Sequence, residues 1–259
     1  MDYRNLLYQR DDRYVTVTLN RPERRNCLSS EMLGELEHAL RTTGADGEVA
    51  GVVLAANGPV FSSGHDLAEL ADMGEPELQE LFTLCTSAMI AMSEIPQVVV
   101  AKVHALATAA GAQLAASADL VVASTEAGFA TPGGKGGLFC HTPMVAVARP
   151  LGRKRAAELA LTGDTLDAAT ALDWGLVNRV VPPEQLDEAT MDLLGRATRG
   201  SRFAKGIGKQ TLYAQMDLPV GEAYKLAIDV MASRAARGDG AEWPKAFIEK
   251  RHPVWTHTE

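Results

Sequence analysis

The sequence contains few cysteines and no long uncharged apolar run. Cys27, Cys85 and Cys140 are the only cysteines among 259 residues, and such an odd, sparse count indicates reduced thiols in a cytosol-like compartment. No apolar run approaches the roughly 18 residues that a membrane-spanning helix requires. The first residues, MDYRNLLYQRDDRY, carry acids and lack the apolar stretch of a secretory signal. We therefore predict a cytoplasmic protein that has no membrane as a partner.

Sequence motifs typical of metal sites and of catalytic serines are also missing. His104, His141, His252 and His257 show no H-x-x-x-H spacing, and the cysteines show no C-x-x-C spacing. Cys140 and His141 are adjacent, and neighbouring residues seldom face one ion. Neither a G-x-S-x-G elbow nor an S-x-x-K motif occurs. The sequence therefore predicts no metal site and no common serine nucleophile.

Positive charge is in short supply as well. The chain carries 25 Lys and Arg against 33 Asp and Glu, a net charge of −8, and its basic residues are scattered. This distribution argues against nucleic acid as the main partner but allows an anionic small ligand on a local basic patch. The glycine-rich segment 133–137 lacks the Walker spacing, because Gly136 rather than Ser or Thr follows Lys135.

Apolar residues are abundant enough for a full-sized core. They make up 46% of the chain, and charged residues make up 22%, which predicts one large domain or one domain with a helical appendage. Strands, half-buried at 14–19 and otherwise largely buried, alternate with helices, so the pattern predicts an α/β fold. The predicted elements are strands at 14–19, 49–56, 98–103 and 119–123, a helix capped by Ser29 or Ser30, a helix at 76–94, and helices from about 183 onward.

Two segments of small residues are candidates for a ligand site. Ser62-Ser63-Gly64-His65-Asp66-Leu67 follows a buried strand, where a small-residue turn leaves backbone N–H groups uncovered. Residues 107–118 are mostly Ala, Gly and Thr and begin a helix, whose free N–H groups attract negative charge. An ordinary loop and close helix packing remain the alternative interpretations of the two segments.

Taken in order, these segments resemble the crotonase, or enoyl-CoA hydratase/isomerase, superfamily. Any one motif is weak, but the whole series spans nearly the entire chain. The motifs are LNRP (19–22) followed by Asn26, FSSGHDL (61–67), ATAAGAQLAASADLVVAS (107–124), FATP (129–132), LTGDTLDAATALDWGLVNRVV (161–181) and AFIEKR (246–251). GHDL, LATAAG, FATPG and GLFC together resemble one subgroup, whose animal members carry a mitochondrial leader that we expect this chain to lack.

The resemblance implies a fold and an assembly. The fold would be a crotonase-like α/β spiral of ββα units, followed by helices that build a homotrimer, often a dimer of trimers. We assign residues 1–190 to a core acyl-CoA-binding domain and residues 191–259 to the helical C-terminal region. That region is rich in apolar residues, among them Met216, Leu218, Leu226, Ile228, Val230 and Met231.

The resemblance also implies an oxyanion hole made of two backbone N–H groups. Motif position assigns these groups to His65 and Ala110. Proton abstraction or addition beside a thioester places negative charge on the thioester oxygen. A preformed donor aimed at that oxygen is worth about 2.7–4 kcal/mol.

An acyl-CoA thioester is the implied substrate or ligand, and no separate cofactor is expected. Arg24, Arg25 and Lys250 would supply the local positive charge that an anionic CoA requires in an acidic protein. The residues implied to contact CoA are Glu23, Arg24, Arg25, Ser63, His65, Asp66, Leu67, Phe247 and Lys250.

The sequence departs from the resemblance at both catalytic carboxylates. Hydratases of the family place two Glu in the site, but here Gln113 occupies the first position, and Gly133, followed by Gly134, occupies the second. No Asp or Glu occurs at 95–118 or at 127–157. Gln113 can orient a water molecule but cannot take its proton. The nearby ionisable candidates are His141 and, less favoured, Asp66 and Cys140; for His141 a packing role remains open.

Three functions fit this sequence. The first is a crotonase-superfamily enzyme, nominally a hydratase or isomerase of fatty-acid metabolism, with an atypical acid–base apparatus. The second is a non-catalytic acyl-CoA-binding or regulatory protein. The third is another thioester chemistry, such as decarboxylation or thioester hydrolysis. The fold alone does not decide among them.

Overall fold

Two sheets organise the computed structural model of this protein, which describes residues 2–258. The larger sheet has the strand order β1-β2-β3-β4-β6-β9 and the smaller has the order β5-β7-β8. The strands are β1 (Leu6–Asp11), β2 (Tyr14–Leu19), β3 (Gly51–Ala56), β4 (Val98–Val103), β5 (Ala107–Thr108), β6 (Leu120–Ser124), β7 (Gly128–Ala130), β8 (Leu166–Asp167) and β9 (Arg179–Val181).

Helices join the strands and cover the sheets. They are α1 (Ser30–Gly44), α2 (Leu67–Asp72), α3 (Glu75–Glu94), α4 (Ala110–Ser117), α5 (His141–Thr162), α6 (Ala168–Trp174), α7 (Leu186–Ala197), α8 (Arg202–Met216), α9 (Val220–Ala235) and α10 (Gly238–Ile248). Gly152, with φ 70° and ψ 166°, breaks α5 into two helical parts. Short 3₁₀ turns occupy Pro22–Arg24, Pro132–Gly136 and Pro183–Gln185.

Successive segments of the chain contribute strands to both sheets. From β2 to β9 the larger sheet is parallel, and β1 adds to it antiparallel to β2. β4 and β6 belong to the larger sheet. Each is followed along the chain by a strand of the smaller sheet, β5 or β7, and then by a helix, α4 or α5. The predicted strands at 14–19 and 98–103 have those bounds in the structure. The α/β spiral expected from the sequence is therefore present.

Local sequence explains where the helices near the site begin and end. Ser29, rather than Ser30, caps α1, because its side-chain oxygen accepts a hydrogen bond from the Met32 N–H at 3.2 Å. Asp66 caps α2 in the same way by accepting from the Ala68 N–H at 3.1 Å. α3 ends at Glu94, directly before the Ile95-Pro96 step that prevents its continuation.

The C-terminal helices divide into one that joins the core and three that lie outside it. α7 packs on β3, β4 and β6, and its Leu194 is completely buried in a cluster with Val53 and Val100. The domain boundary that the sequence analysis placed between residues 190 and 191 falls inside α7. The helices α8 to α10 pack mainly on one another.

A buried ion pair between Lys209 of α8 and Asp119 connects this helix to the core. The ammonium group of Lys209 lies 2.8 Å from the carboxylate of Asp119 and donates to the carbonyl oxygens of Met92 and Gln97. The hydroxyl of Tyr213 donates to the other oxygen of the Asp119 carboxylate at 2.8 Å. Every donor of this buried lysine therefore has a partner, and α8 is held in one orientation.

Replacing Lys209 with methionine is expected to lower the free energy of unfolding by about 3 kcal/mol, because Asp119 would then be a largely buried charge without its cation. Lys205→Met is the matched control, since Lys205 is exposed on the same helix and surface substitutions change stability by about 0.5 kcal/mol or less. Urea denaturation measures both changes. Equal stability of the two variants would contradict this account of the pair.

No helix within residues 2–258 is both long and apolar enough to cross a membrane. In the same part of the chain, no group of three or more His, Cys, Asp or Glu residues has an arrangement that could hold a metal ion.

Candidate functional site

Two small-residue segments that are far apart in sequence lie side by side in the structure. The N–H of Ser62 donates to the carbonyl of Leu106 at 3.3 Å, and the N–H of Thr108 donates to the carbonyl of Ser62 at 3.0 Å. These bonds form a parallel bridge between Ser62 and Ala107. The loop after β3 is thereby aligned with the β5–α4 connection.

The backbone N–H of His65 faces away from its neighbouring strand. Leu28 donates to the carbonyl of Gly64 at 2.8 Å and accepts from the N–H of Asp66 at 3.4 Å. In this parallel bridge Leu28 uses both of its backbone groups, so those of His65 point to the opposite side. Among the residues that the structure describes, none accepts a hydrogen bond from the His65 N–H.

The second free donor is the N–H of Ala110, the first residue of α4. The first N–H groups of a helix have no acceptor within the helix. The neighbouring N–H of Ala109 is satisfied by the carbonyl of Ala130 at 2.8 Å, and that of Gln113 by the carbonyl of Ala109 at 3.1 Å. From residue 2 to residue 258, no acceptor is found for the N–H of Ala110.

Gly64 brings the two donors together. Its φ of +87° is a conformation that side chains rarely adopt, and a Cβ added there would lie 3.0 Å from the Ala109 Cβ and 3.3 Å from the Ala110 nitrogen. Because the His65 nitrogen is bonded directly to the Gly64 carbonyl carbon, the two free N–H groups lie close to one another. Two such donors can hold one oxygen atom that carries negative charge.

Strained backbone accompanies this arrangement. Ala109, which precedes the second donor, has φ 52° and ψ −119°, a conformation that costs a residue with a side chain about 1–3 kcal/mol. Arg25 and Asn26 also have positive φ, of 52° and 49°. No sequence pattern predicted the strain at Ala109, because alanine has no preference for this conformation.

Hydrogen bonds of Asn26 hold the loop that carries His65 in place. It is completely buried, and its amide nitrogen donates to the carbonyls of Asn57 at 2.7 Å and Val60 at 3.1 Å. Its amide oxygen accepts from the N–H of Arg21 at 2.9 Å, and its carbonyl accepts from the hydroxyl of Ser62 at 2.8 Å. In the sequence Asn26 stands out only as part of a motif, and its positioning role is visible only in three dimensions.

The basic turn predicted to contact CoA adjoins the same loop. The N–H of Ser63 donates to the carbonyl of Arg25 at 3.0 Å, and the side chains of Arg24 and Arg25 are exposed. Leu67, at the start of α2, is 74% exposed. The structure therefore places Arg24, Arg25 and the 63–67 loop together at one surface.

Asp66 is occupied by structural contacts. Its carboxylate accepts from the thiol of Cys27 at 3.2 Å and from the N–H of Ala68, and it lies 3.5 Å from the Arg24 guanidinium. Burial raises the pKa of Asp66, but the Cys27 and Ala68 hydrogen bonds and the nearby guanidiniums together bring this pKa below its usual value. The group thus stays ionised near neutral pH and is poorly suited to carry a proton.

Gly133, at the second carboxylate position, lies in a crowded turn. Its N–H donates to the Sγ of Cys140 at 3.3 Å. An added Cβ would lie only 2.1 Å from the carbonyl oxygen of Leu138 and 2.8 Å from the Cys140 sulfur. Burial raises the pKa of the Cys140 thiol. No side chain fits at 133 without rebuilding the turn, and the buried Cys140 sulfur is part of that turn.

The remaining predicted residues lie on other elements. His141 is exposed at the first position of α5, with its ring 5.0 Å from that of Phe139. Phe247 is 69% exposed and contacts Trp243, and Lys250 follows the end of α10 with φ 54°. In the described part of the chain, no hydrogen bond or ion pair joins α10 to the 22–25 turn or to the 62–67 loop.

Two buried polar side chains flank the donor pair and lack partners. Neither ring nitrogen of His65 makes a hydrogen bond of normal geometry within residues 2–258, and neither does the side-chain oxygen of Gln113, although all three atoms are buried. The His65 ring lies 5.3 Å from the ring of Phe82 on α3, with its edge toward that ring. The motifs predicted His65 as a backbone donor and as a CoA contact, and they gave no prediction for Phe82.

Comparison with known proteins covers nearly the whole chain. The sequence model of a family described as enoyl-CoA hydratase/isomerase matches residues 10–258. A mouse protein described as enoyl-CoA hydratase domain-containing protein 3, mitochondrial, is 42% identical over 250 residues, which cover 96% of this chain and 83% of that protein.

Solved structures share the fold at similar identity. A crystal structure described as an enoyl-CoA hydratase of Mycobacterium smegmatis superposes with a TM-score of 0.94 at 43% identity, over 98% of this chain and 100% of that one. Human enoyl-CoA hydratase domain-containing protein 3 gives a TM-score of 0.94 at 41% identity, over 97% and 100% of the two chains. These similarities confirm the expected fold and the expected subgroup resemblance.

Proposed function

The chain belongs to the enoyl-CoA hydratase/isomerase family, and from that premise we propose that it binds an acyl-CoA thioester and holds the thioester carbonyl oxygen between the N–H groups of His65 and Ala110. The observation that carries this proposal is the pair of unpaired donors brought together by Gly64. Buried backbone N–H groups are rarely left without a partner. A ligand oxygen between these two would satisfy both.

Such a site favours chemistry at the carbon next to the thioester carbonyl. Removing a proton there produces an enolate, whose charge resides largely on the carbonyl oxygen. Donors that are already in place stabilise this charge without reorganising during the reaction. The strain at Ala109 is consistent with a backbone held ready for this purpose.

The exposed guanidiniums of Arg24 and Arg25 would bind the CoA phosphates, because they adjoin the loop that carries His65. Phe247 and Lys250 remain proposed contacts of the CoA nucleotide. The predicted cytoplasmic location also stays a prediction, since the mouse relative is described as mitochondrial.

Calorimetry should show that butyryl-CoA binds much more tightly than butyrate, because only the thioester offers both the carbonyl and the phosphates. Butyrate plus free CoA is the control for binding through the nucleotide alone. Equal or undetectable binding of butyryl-CoA and butyrate would contradict the proposal.

A non-catalytic acyl-CoA-binding role is the second candidate. It is favoured by Gln113 at the first carboxylate position and by the crowded turn at Gly133. Another thioester chemistry that does not need paired carboxylates remains the third. Turnover measured on a panel of CoA thioesters separates both from a hydratase or isomerase.

We also propose that the native protein is a homotrimer or a dimer of trimers. Helices α8 and α9 expose an apolar face formed by Leu212, Met216, Val220, Tyr224, Ile228 and Met231. Exposure of such an apolar face to water is unfavourable, so we expect other copies of the chain to cover it. Light scattering at micromolar concentration should give a mass of three or six chains, whereas a stable monomer would contradict the proposal.

A further inference from the structure

The carboxylate of Asp66 is buried but faces the basic turn at 21–27. Only 8% of its side chain is exposed. Its Oδ1 lies 3.5 Å from the Arg24 guanidinium, and its Oδ2 lies 3.8 Å from the Arg21 guanidinium. The sequence resemblance implies a CoA contact for Asp66, but a side chain this enclosed has little surface with which to make one. Any effect of its charge on a ligand must therefore pass through another residue.

The Asp66 carboxylate is itself held from several sides. Its oxygens accept hydrogen bonds from the N–H of Ala68 at 3.1 Å and from the thiol of Cys27 at 3.2 Å. The nearby Arg21 guanidinium also donates to the Ser29 hydroxyl at 3.0 Å, which fixes this cation beside the carboxylate. The carboxylate is therefore held in one place and can anchor a long side chain that reaches into solvent.

Arg24 is such a side chain. It is 51% exposed, and one terminal nitrogen of its guanidinium donates to the Asp66 carboxylate at 3.5 Å. The N–H groups on its other nitrogens remain available to a ligand. A guanidinium presents its donors in a rigid planar fork, so fixing one edge of the fork orients the other. Asp66 thus orients Arg24 before a ligand arrives.

The neighbouring Arg25 has no such anchor. Its side chain is also exposed, but no hydrogen bond or ion pair of its guanidinium occurs between residues 2 and 258. Arginine is among the side chains that lose most rotamer freedom when they are ordered. A ligand must order Arg25 by itself, whereas the protein already orients Arg24. The two arginines of the turn therefore differ in one respect that an experiment can use.

We propose that Asp66 is a positioning residue that orients Arg24 toward the nucleotide phosphates of CoA, so that the site distinguishes a CoA thioester from a thioester without the nucleotide. This inference rests on the proposed function, in which Arg24 binds those phosphates. It gives Asp66 an indirect role in ligand binding, through Arg24, in place of the direct contact that the resemblance implies.

Positioning and simple electrostatics predict opposite effects for the loss of this carboxylate. A negative charge beside an anion site opposes the binding of phosphate, so removing it should tighten binding if charge alone mattered. If the carboxylate orients Arg24, removing it should weaken binding, because the ligand must then order a long side chain. We expect the second effect to be the larger, since salt at about 0.15 M screens exposed charges but does not reduce side-chain entropy.

The test uses Asp66→Asn, Arg24→Gln, Arg25→Gln and the two double variants that combine Asp66→Asn with each arginine change. Asparagine keeps a side-chain oxygen that can cap α2, because Asn and Asp are similarly good capping residues. Asp167→Asn is the matched control, since the exposed Asp167 caps α6 by accepting from the Thr170 N–H at 2.7 Å.

Two ligands are compared at about 0.15 M salt. Binding of butyryl-CoA is measured by calorimetry. Binding of butyryl-pantetheine, which has the same thioester but no nucleotide, is measured by infrared titration of its ¹³C-labelled carbonyl. A residue that only supports the fold of the loop would affect both ligands alike, so the difference between the ligands reports on the phosphates.

We expect Asp66→Asn to weaken butyryl-CoA binding about three- to tenfold, the cost of ordering one long side chain. Arg24→Gln should weaken it at least as much. The Asp66–Arg24 double variant should bind no more weakly than Arg24→Gln alone, because Asp66 acts through Arg24. The effects of Asp66→Asn and Arg25→Gln should multiply. Binding of butyryl-pantetheine should not change in Asp66→Asn, and Asp167→Asn should bind both ligands as wild type does.

Several results would overturn the inference. Unchanged or tighter butyryl-CoA binding by Asp66→Asn refutes the positioning role, and so does an equal loss for butyryl-pantetheine. A loss that persists in full when Arg24→Gln is already present shows that Asp66 does not act through Arg24. Wild type that binds butyryl-CoA but no better than butyryl-pantetheine overturns the inference and leaves the carbonyl site intact. Wild type that binds neither ligand contradicts the proposed function itself.

Arg24→Lys and Arg25→Lys decide the question if circular dichroism shows that Asp66→Asn does not fold, because both arginines are exposed. A lysine keeps the charge but lacks the planar fork that could contact Asp66 and a phosphate together. Arg24→Lys should lose nearly as much butyryl-CoA affinity as Arg24→Gln, whereas Arg25→Lys should lose little. Equal losses in the two lysine variants would overturn the inference.

Discussion

Crotonyl-CoA hydration by this protein is expected to be about 10²–10⁴ times slower than by a hydratase with two catalytic glutamates, the range that general acid–base help contributes. The proposed oxyanion hole would lower the energy of the enolate but would transfer no proton. With Gln113 and Gly133 at the two acid positions, neither position can transfer a proton to or from water. Steady-state kinetics with crotonyl-CoA measure the deficit, and a kcat on the order of hundreds per second would contradict it.

Adding back the carboxylates should succeed at only one of the two positions. Gln113→Glu replaces a buried amide by a carboxyl of the same shape and should raise hydration modestly. Gly133→Glu should instead disrupt its turn, because even a Cβ would lie 2.1 Å from the Leu138 carbonyl oxygen. Gly134→Glu is the control, since a Cβ at 134 would lie no closer than 3.5 Å to another residue. Circular dichroism and melting temperature should separate Gly133→Glu from the other two.

Gly64→Ala is expected to lower turnover of any CoA thioester substrate by about 10²–10³, the cost of losing one oxyanion donor. Alanine is strained at a φ of +87°, and its methyl group would be pressed against Ala109 and the Ala110 nitrogen. The loop must therefore move, and the two donors separate. A catalytic loss is expected even where the protein remains folded.

Gly34→Ala provides the matched glycine control for this experiment. Gly34 lies within α1, and a Cβ there would have no neighbour within 4 Å. Removing a glycine from a helix should leave turnover unchanged and raise stability by up to about 1 kcal/mol. If Gly64→Ala behaves like Gly34→Ala, the donor geometry is not what supports turnover.

The sequence predicted the sheet-forming segments well because they are strongly apolar. The strands at 14–19 and 98–103 are buried, and their composition and the turn residues after them define their length. β1 was not predicted, since LLYQRD mixes apolar, polar and charged residues and is mostly exposed. α5 was not predicted either, because Pro150 and the kink at Gly152 interrupt its pattern.

The candidate site was predictable in its backbone and not in its side chains. Motif position indicated His65 and Ala110, and the structure brings their N–H groups together. The strain at Ala109 and the missing partners of the His65 ring depend on contacts between distant segments, which composition and spacing do not record. The same holds for the crowding at Gly133, where the sequence shows only a glycine-rich turn.

We propose above that a thioester carbonyl lies between the N–H groups of His65 and Ala110. An isotope-edited infrared difference spectrum of butyryl-CoA carrying ¹³C at its carbonyl tests this placement, because hydrogen bonds to the oxygen weaken the C=O bond. We expect the carbonyl stretch of the bound ligand to shift to lower frequency than in water, and Gly64→Ala to lose this shift. A bound carbonyl that vibrates at its frequency in water would contradict the proposed placement.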